Sequence, residues 1–262
     1  MIAASKLKGA QDAALSSRPY VEKLTSITQE VTLKTVDEKK HPYMTLNPEV
    51  GKTLLIVLSP DKGSCGALVT NLLKEFLSFA HGQKDSSFIV VGKKAESKVI
   101  KLENEILATF HFGTTRPTFS MVFPIIKLID EYYLSGKVQS VKVLYTDFQS
   151  FFSQKPTIIQ LLPIALPESE EVRLDTDAIY EPSLEEMVPT LLKHYLEMSL
   201  FQLLLESFLS EQAARMIAMQ NATNNAKDII EALKLEYNKT RQAKITSELL
   251  DITGGRAHAE AE

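Results

Sequence analysis

The stretch "LLIVLSPDKGSCGALVTNLLKEF", Leu54 to Phe76, joins an apolar run to a helical one through Lys62, Gly63, Ser64, Cys65 and Gly66. Nucleotide-binding folds hold phosphate at such a junction, because glycines let backbone N–H groups and the positive helix N-terminus approach an anion. The spacing here is neither G-x-G-x-x-G nor G-x-x-x-x-G-K-[ST]. A strand-to-helix turn uses glycine for backbone geometry alone, and Lys62 by itself does not make an anion site. Cys65 stands where a helix N-terminus can activate a thiolate, yet no histidine can be placed beside it, and free cysteine more often serves as a small buried residue. The five histidines, His41, His81, His111, His194 and His258, show no H-E-x-x-H or other compact ligand spacing. The sequence therefore predicts no catalytic, cofactor-binding or metal-ligating residue. One further candidate lies in "KLEYNKTRQAKITSELL". Arg241 and Gln242 there read either as part of a solvated helix face or as a planar guanidinium and an amide turned toward polar groups of a partner.

These residues need elements to carry them. The chain has 262 residues, is 44% hydrophobic and has a formal net charge of -4, which suffices for a core and gives no global attraction to nucleic acid. A single cysteine excludes an intrachain disulfide framework. No apolar run is long enough for a transmembrane helix. Val21, Leu24, Ile27 and Val31 continue a helical stripe that begins at Ile2 and Leu7; Pro19 should kink or weaken it, and His41 to Pro48 should end it. The period then changes. "TLLIVLS" and "SSFIVVG" are strands flanking a helix at Ala67 to His81, followed by a short helix near Ala95 to Lys101, a helical stretch through Ile125, Ile129 and Tyr132, and two strands, "SVKVLYTDF" and "PTIIQLLPI". Alternating strands and helices predict a mostly parallel, doubly wound sheet covered on both faces.

Beyond an acidic, proline-bounded connection, Ser183 and Glu186 form an S-x-x-E capping box. No strong breaker follows until Gly254 and Gly255, so the spacing predicts one helix of about 70 residues, roughly 105 Å long, stopped by those glycines. Ala222, Ala226, Ile229, Leu233 and Tyr237 keep a three-four spacing suited to a second helix or a surrounding sleeve. The expected fold is α/β: a Rossmann-like doubly wound central domain bracketed by long N- and C-terminal helices forming an antiparallel coiled coil. The expected division is an N-terminal arm at 1–50, the α/β domain at 51–166, an acidic linker at 167–182 and a C-terminal arm and tail at 183–262.

Four stretches together resemble the gamma chain of F-type ATP synthases: "AASKLKGAQDAALSSRPY", "LSPDKGSCGALVTNLLK", "QKPTIIQLLPI" and "SEQAARMIAMQNATNNAKDIIEALKLEYNKTRQAKITSELLDITGG". The resemblance implies a central stalk that binds no nucleotide or other cofactor. Its terminal helices would sit inside a hexamer of alpha and beta subunits, with its body near the epsilon subunit and the membrane rotor ring of c subunits. It would couple ion-driven rotation of that ring to conformational change at catalytic sites on the hexamer, without membrane insertion of its own. Arg241 and Gln242 match the family segment that contacts a loop of the beta subunit. The implied location is peripheral, on the cytoplasmic side of the bacterial plasma membrane. The family carries roughly two dozen helical residues upstream of the part that matches "MIAASK", about 35 Å of helix, so the true start is expected further upstream. The competing readings are a nucleotide-dependent α/β enzyme with helical oligomerisation arms, and a passive coiled-coil tether.

Overall fold

A computed structural model of the chain describes residues 2–34, 41–45, 51–83, 85–102, 105–165, 181 and 183–259. The chain divides into two compact units, Met1–Ile217 and Ala218–Glu262.

In the first unit, α1 (Ile2–Lys34) leads to β1 (Thr53–Leu58), α2 (Leu68–Gly82), β2 (Ser86–Val91), α3 (Lys93–Val99), β3 (Glu105–Phe110), α4 (Phe123–Leu134), β4 (Ser140–Phe148) and β5 (Gln154–Leu162). The sheet order is β3-β2-β1-β4-β5. β1 pairs parallel with β2 and β4, β2 pairs parallel with β3, and β5 closes the edge antiparallel to β4. Every residue of β1 and β2 is buried, as expected of strands covered on both faces. One face carries Leu55, Val57, Phe76 and Phe88 under α2; on the other, Leu54 and Ile56 join Ile125 and Ile129 of α4 and Leu196 of α5 (Leu184–Ala259).

The alternating apolar runs thus place the doubly wound body and its order of elements. β3 is the strand that the sequence does not announce. It is a short edge strand of mixed exposure, so its residues carry neither a continuous apolar run nor a clean alternation. α1 pairs antiparallel with α5: Tyr20 meets His194, Ser17 meets Gln202, and Leu7 and Ala10 join the cluster of Leu209 and Ala213. Pro19 lies inside α1 without ending it. The stripe shifts by one residue from its expected path. Ile27 is exposed, and Thr28 is buried in its place, its hydroxyl satisfied by donating to the Leu24 carbonyl at 2.7 Å.

α5 starts where the capping box puts it, with the Ser183 carbonyl accepting from the N–H groups of Glu186 and Met187. Gly254 and Gly255 do not stop it, since the helix runs to Ala259. Glycine weakens a helix by about 1 kcal/mol relative to alanine but, unlike proline, neither blocks the preceding turn nor removes a donor. The second unit holds α5 residues from Ala218 onward, and residues 219–250 are exposed throughout. The expected acidic linker lies, apart from Glu181, outside the described residues. Of the stretch expected to end α1, residues 41–45 are described and hold a short 3-10 turn at Pro42–Met44, while 46–48 lie outside the described residues.

Candidate functional site

The crevice where a doubly wound sheet binds ligands lies outside the carboxyl ends of the strands at the point where strand order reverses. Here that point is between β1 and β4; α5 packs against Phe148 at the end of β4 and, with the β1–α2 loop, Gly92 at the start of α3 and the loop after β3, lines the neighbouring carboxyl ends of β1 and β2. The Gly63–Gly66 turn takes the left-handed backbone that its glycines suggest, with φ of 63° at Ser64 and 59° at Gly66. What it presents is the opposite of a phosphate cradle. The carbonyls of Lys62 and Gly63 accept from Nη2 of Arg215 at 3.2 and 3.3 Å, whereas an anion site offers N–H groups. Arg215 Nη1 lies 2.6 Å from Oε1 of Glu211, one turn earlier on α5. Burial raises the Glu211 carboxyl above its ordinary range, and the Arg215 guanidinium draws it back only in part.

Cys65 packs with Leu68 and Ala214. Burial pushes its thiol up by more than nearby Arg215 pulls it down, the reverse of what an activated nucleophile requires.

The start of α3, which follows β2 in the manner of a nucleotide-binding helix, is also satisfied from within. Lys93 N–H donates to Asp61 Oδ1 at 2.9 Å, Lys94 N–H to the Pro60 carbonyl at 3.1 Å, and Ala95 N–H to Ser59 Oγ at 3.1 Å. The Asp61 carboxylate occupies the place an external anion would take, and its Oδ2 also accepts from Gly113 N–H at 2.6 Å. Gly92 permits this closeness: its φ is +95°, and a Cβ there would lie 1.9 Å from the Ser59 carbonyl oxygen. The space left between Leu58, Gly92, Gly113 and the α5 residues Leu204, Phe208 and Glu211 is a cavity of about 50 Å³. Small-molecule sites typically need about 300–1,000 Å³. In this fold the long helix fills the crevice in place of a ligand.

The remaining candidates are dispersed. His41 accepts from Tyr43 N–H through Nδ1, His81 is exposed on α2, His111 lies 3.7 Å from Asp61 and 3.4 Å from Glu96, and His194 bonds Tyr20. Arg241 and Gln242 are adjacent on the exposed α5 residues of the second unit, apart in sequence from every group around the crevice. Sequence reasoning missed Ser59, Asp61, Glu211 and Arg215. A Glu-to-Arg i,i+4 pair inside the otherwise small and apolar "SEQAARM" is the signal that marks the last two.

A family model described as ATP synthase matches residues 1–259. An ATP synthase gamma chain of Dehalococcoides mccartyi is 40% identical over 259 residues, covering 98% of this chain and 90% of that one. One from Legionella pneumophila is 36% identical over 267 residues, covering 98% and 91%. Among solved structures, the central stalk and c-ring of the Tetrahymena thermophila mitochondrial ATP synthase gives a TM-score of 0.63 at 22% identity, covering 85% of this chain and 96% of that one. The OSCP/F1/c-ring structure of the Euglena gracilis mitochondrial enzyme gives 0.62 at 19%, covering 99% and 94%. These likenesses support the fold of a small doubly wound body with long helices.

Proposed function

The chain belongs to the ATP synthase gamma chain family, and from that premise we propose that it is the central stalk of a proton-translocating ATP synthase. It turns with the membrane ring of c subunits and biases the nucleotide sites of an alpha and beta hexamer, with the epsilon subunit beside its body. It contributes no catalytic residue; ATP chemistry belongs to the hexamer. The observation that carries this reading is the use of one helix in two ways. α5 fills the body's ligand crevice up to Ala214 and then leaves Ile229, Leu233, Leu235 and Tyr237 exposed on the second unit, where a surrounding partner would cover them.

The working division is an arm at 1–50, a body at 51–166, a linker at 167–182 and a shaft at 183–262. Arg241 and Gln242 are its proposed contacts with the beta subunit. Among the described residues no helix is long and apolar enough to cross a membrane, and attachment to the cytoplasmic face of a bacterial membrane would come through the c ring. Reconstitution with alpha and beta subunits tests the reading: the chain should be required for rotation-coupled ATP hydrolysis, and calorimetry on the chain alone should detect no stoichiometric ATP or NAD binding. Stoichiometric nucleotide binding without assembly into the hexamer would favour the enzyme instead.

A further inference from the structure

Both partners of the antiparallel pair carry an unbroken heptad. On α1 the buried or half-buried seam runs from Leu7 through Ala10, Ala14 and Ser17 to Leu24 and Val31; on α5 it recurs at Tyr195, Gln202, Leu209 and Met216. A strict heptad has a degeneracy. Sliding one helix by a whole repeat returns every apolar position to the seam, so hydrophobic burial discriminates poorly between registers. The groups that do discriminate are polar. Gln202 is only 8% exposed. Its Oε1 accepts from the Ser17 hydroxyl, and its Nε2 donates to the Ala14 carbonyl at 3.4 Å and to Glu206 Oε1 at 3.1 Å. Arg18 Nη2 reaches the same Glu206 oxygen at 3.2 Å. A slip by one heptad would bring Leu209 or Tyr195 to Ser17 and take the Ser17 hydroxyl from the Gln202 Oε1, leaving that oxygen unpaired in an apolar seam with only the bond to Glu206 within α5 retained by the amide.

We propose that the Ser17–Gln202 pair, braced by Arg18 and Glu206, fixes the register of α1 on α5 against a heptad slip. A single polar position in a helical seam is the best-attested device for specifying register, obtained at some cost in stability. Its use here, which rests on the stalk reading, is to keep two helices that share a torque from sliding past one another.

The test uses the full chain alone, so its outcome is separate from that of the stalk reading. Spin labels at Lys23→Cys and Thr190→Cys, both exposed, are placed in a Cys65→Ala background and their separation is measured by double electron–electron resonance. The labelled parent should show one distance. Ser17→Ala/Gln202→Leu should keep its helix content and add a second population, displaced along the axis by about 10 Å. The exchanged pair Ser17→Gln/Gln202→Ser, which retains two polar partners, should return to a single distance. An unshifted single distance in the folded apolar variant would overturn the proposal. So would an exchanged pair that slips equally. If the double variant fails to fold, Gln202→Leu alone is measured, and loss of folding there too counts against a register role.

Discussion

The two halves of α5 share a backbone and differ in almost everything else. From Leu200 to Ala214 every residue of the helix is buried or half-buried, and the buried ones include polar residues: Gln202, Ser210, Glu211 and Gln212. From residue 219 to 250 it is exposed on all sides, with large apolar side chains among the charged ones. Gln202, Glu211 and Gln212 find polar partners within the chain; a helix that exposes leucines and isoleucines has its partner elsewhere. The contrast separates what this chain can stabilise by itself from what an assembly must supply.

The same substitution made in each half should break the comparison most visibly. Leu209 is 1% exposed and Leu233 is 57% exposed. Leu209→Ala removes a buried side chain from the α1–α5 cluster and should destabilise the isolated chain by about 3 kcal/mol in urea unfolding. Leu233→Ala should change the same measurement by less than about 0.5 kcal/mol. In reconstitution the order should invert for complexes formed by the folded protein, with Leu233→Ala lowering hexamer affinity. Equal destabilisation by the two would mean that the exposed half is covered within the chain.

Arg215→Ala is next in size. It strands the Glu211 carboxylate and frees two loop carbonyls, so a loss of about 2 kcal/mol is expected, below the 3–5 kcal/mol of fully buried pairs because both side chains retain some solvent contact. Replacing both members by Glu211→Gln and Arg215→Met should recover part of the loss. A double variant as damaged as the sum of the singles would show that the two residues do not act as one unit.

The body was readable because period reports burial: continuous apolar runs became β1 and β2, and three-four spacing became α2, α4 and the arms. The glycine turn was located from sequence, and its failure to match either phosphate motif was informative, but its polarity was not legible. Whether a turn offers N–H groups or carbonyls depends on φ and ψ at Ser64 and Gly66 and on an arginine about 150 residues away in sequence. Asp61 was hidden for a similar reason. It caps α3, a helix beyond the next strand, and spacing within one segment carries no trace of that. The shift from Ile27 to Thr28 in the α1 seam shows a third limit, since apolar character is a weaker guide than heptad phase when a hydroxyl can bond its own helix.

Glu211 gives a smaller effect with a definite sign. Its carboxyl is raised above the ordinary 4.5, chiefly by burial. The folded state then binds this proton more readily than the unfolded chain, so the stabilising contribution is complete below the unfolded value and is lost as pH rises through the folded one. Wild type should therefore gain stability relative to Glu211→Gln as pH falls from neutrality toward 4.5. Urea midpoints of the two proteins across that range would show it; a constant difference, or wild type losing ground on acidification, would remove the buried-carboxylate account.

The smallest expected effect on the chain itself, and the most informative about its partner, is at Arg241 and Gln242. Both are exposed, so Arg241→Ala and Gln242→Ala should leave the unfolding free energy within about 0.5 kcal/mol of wild type. Any phenotype must then arise in the assembled complex. Arg241→Ala removes five fixed donors, and Arg241→Lys restores charge without the planar fork, so Lys should rescue coupling only in part. If both residues serve one contact, adding Gln242→Ala to Arg241→Ala should cost less than it does alone. Hydrolysis and ion-driven synthesis measured on the same complexes separate a coupling defect from a catalytic one, because a coupling defect lowers synthesis at a given hydrolysis rate. A double alanine variant that assembles normally and retains full coupled rates would return Arg241 and Gln242 to the solvated face that composition alone suggests, and would leave the exposed apolar residues to mark the partner's position among the described residues of the second unit.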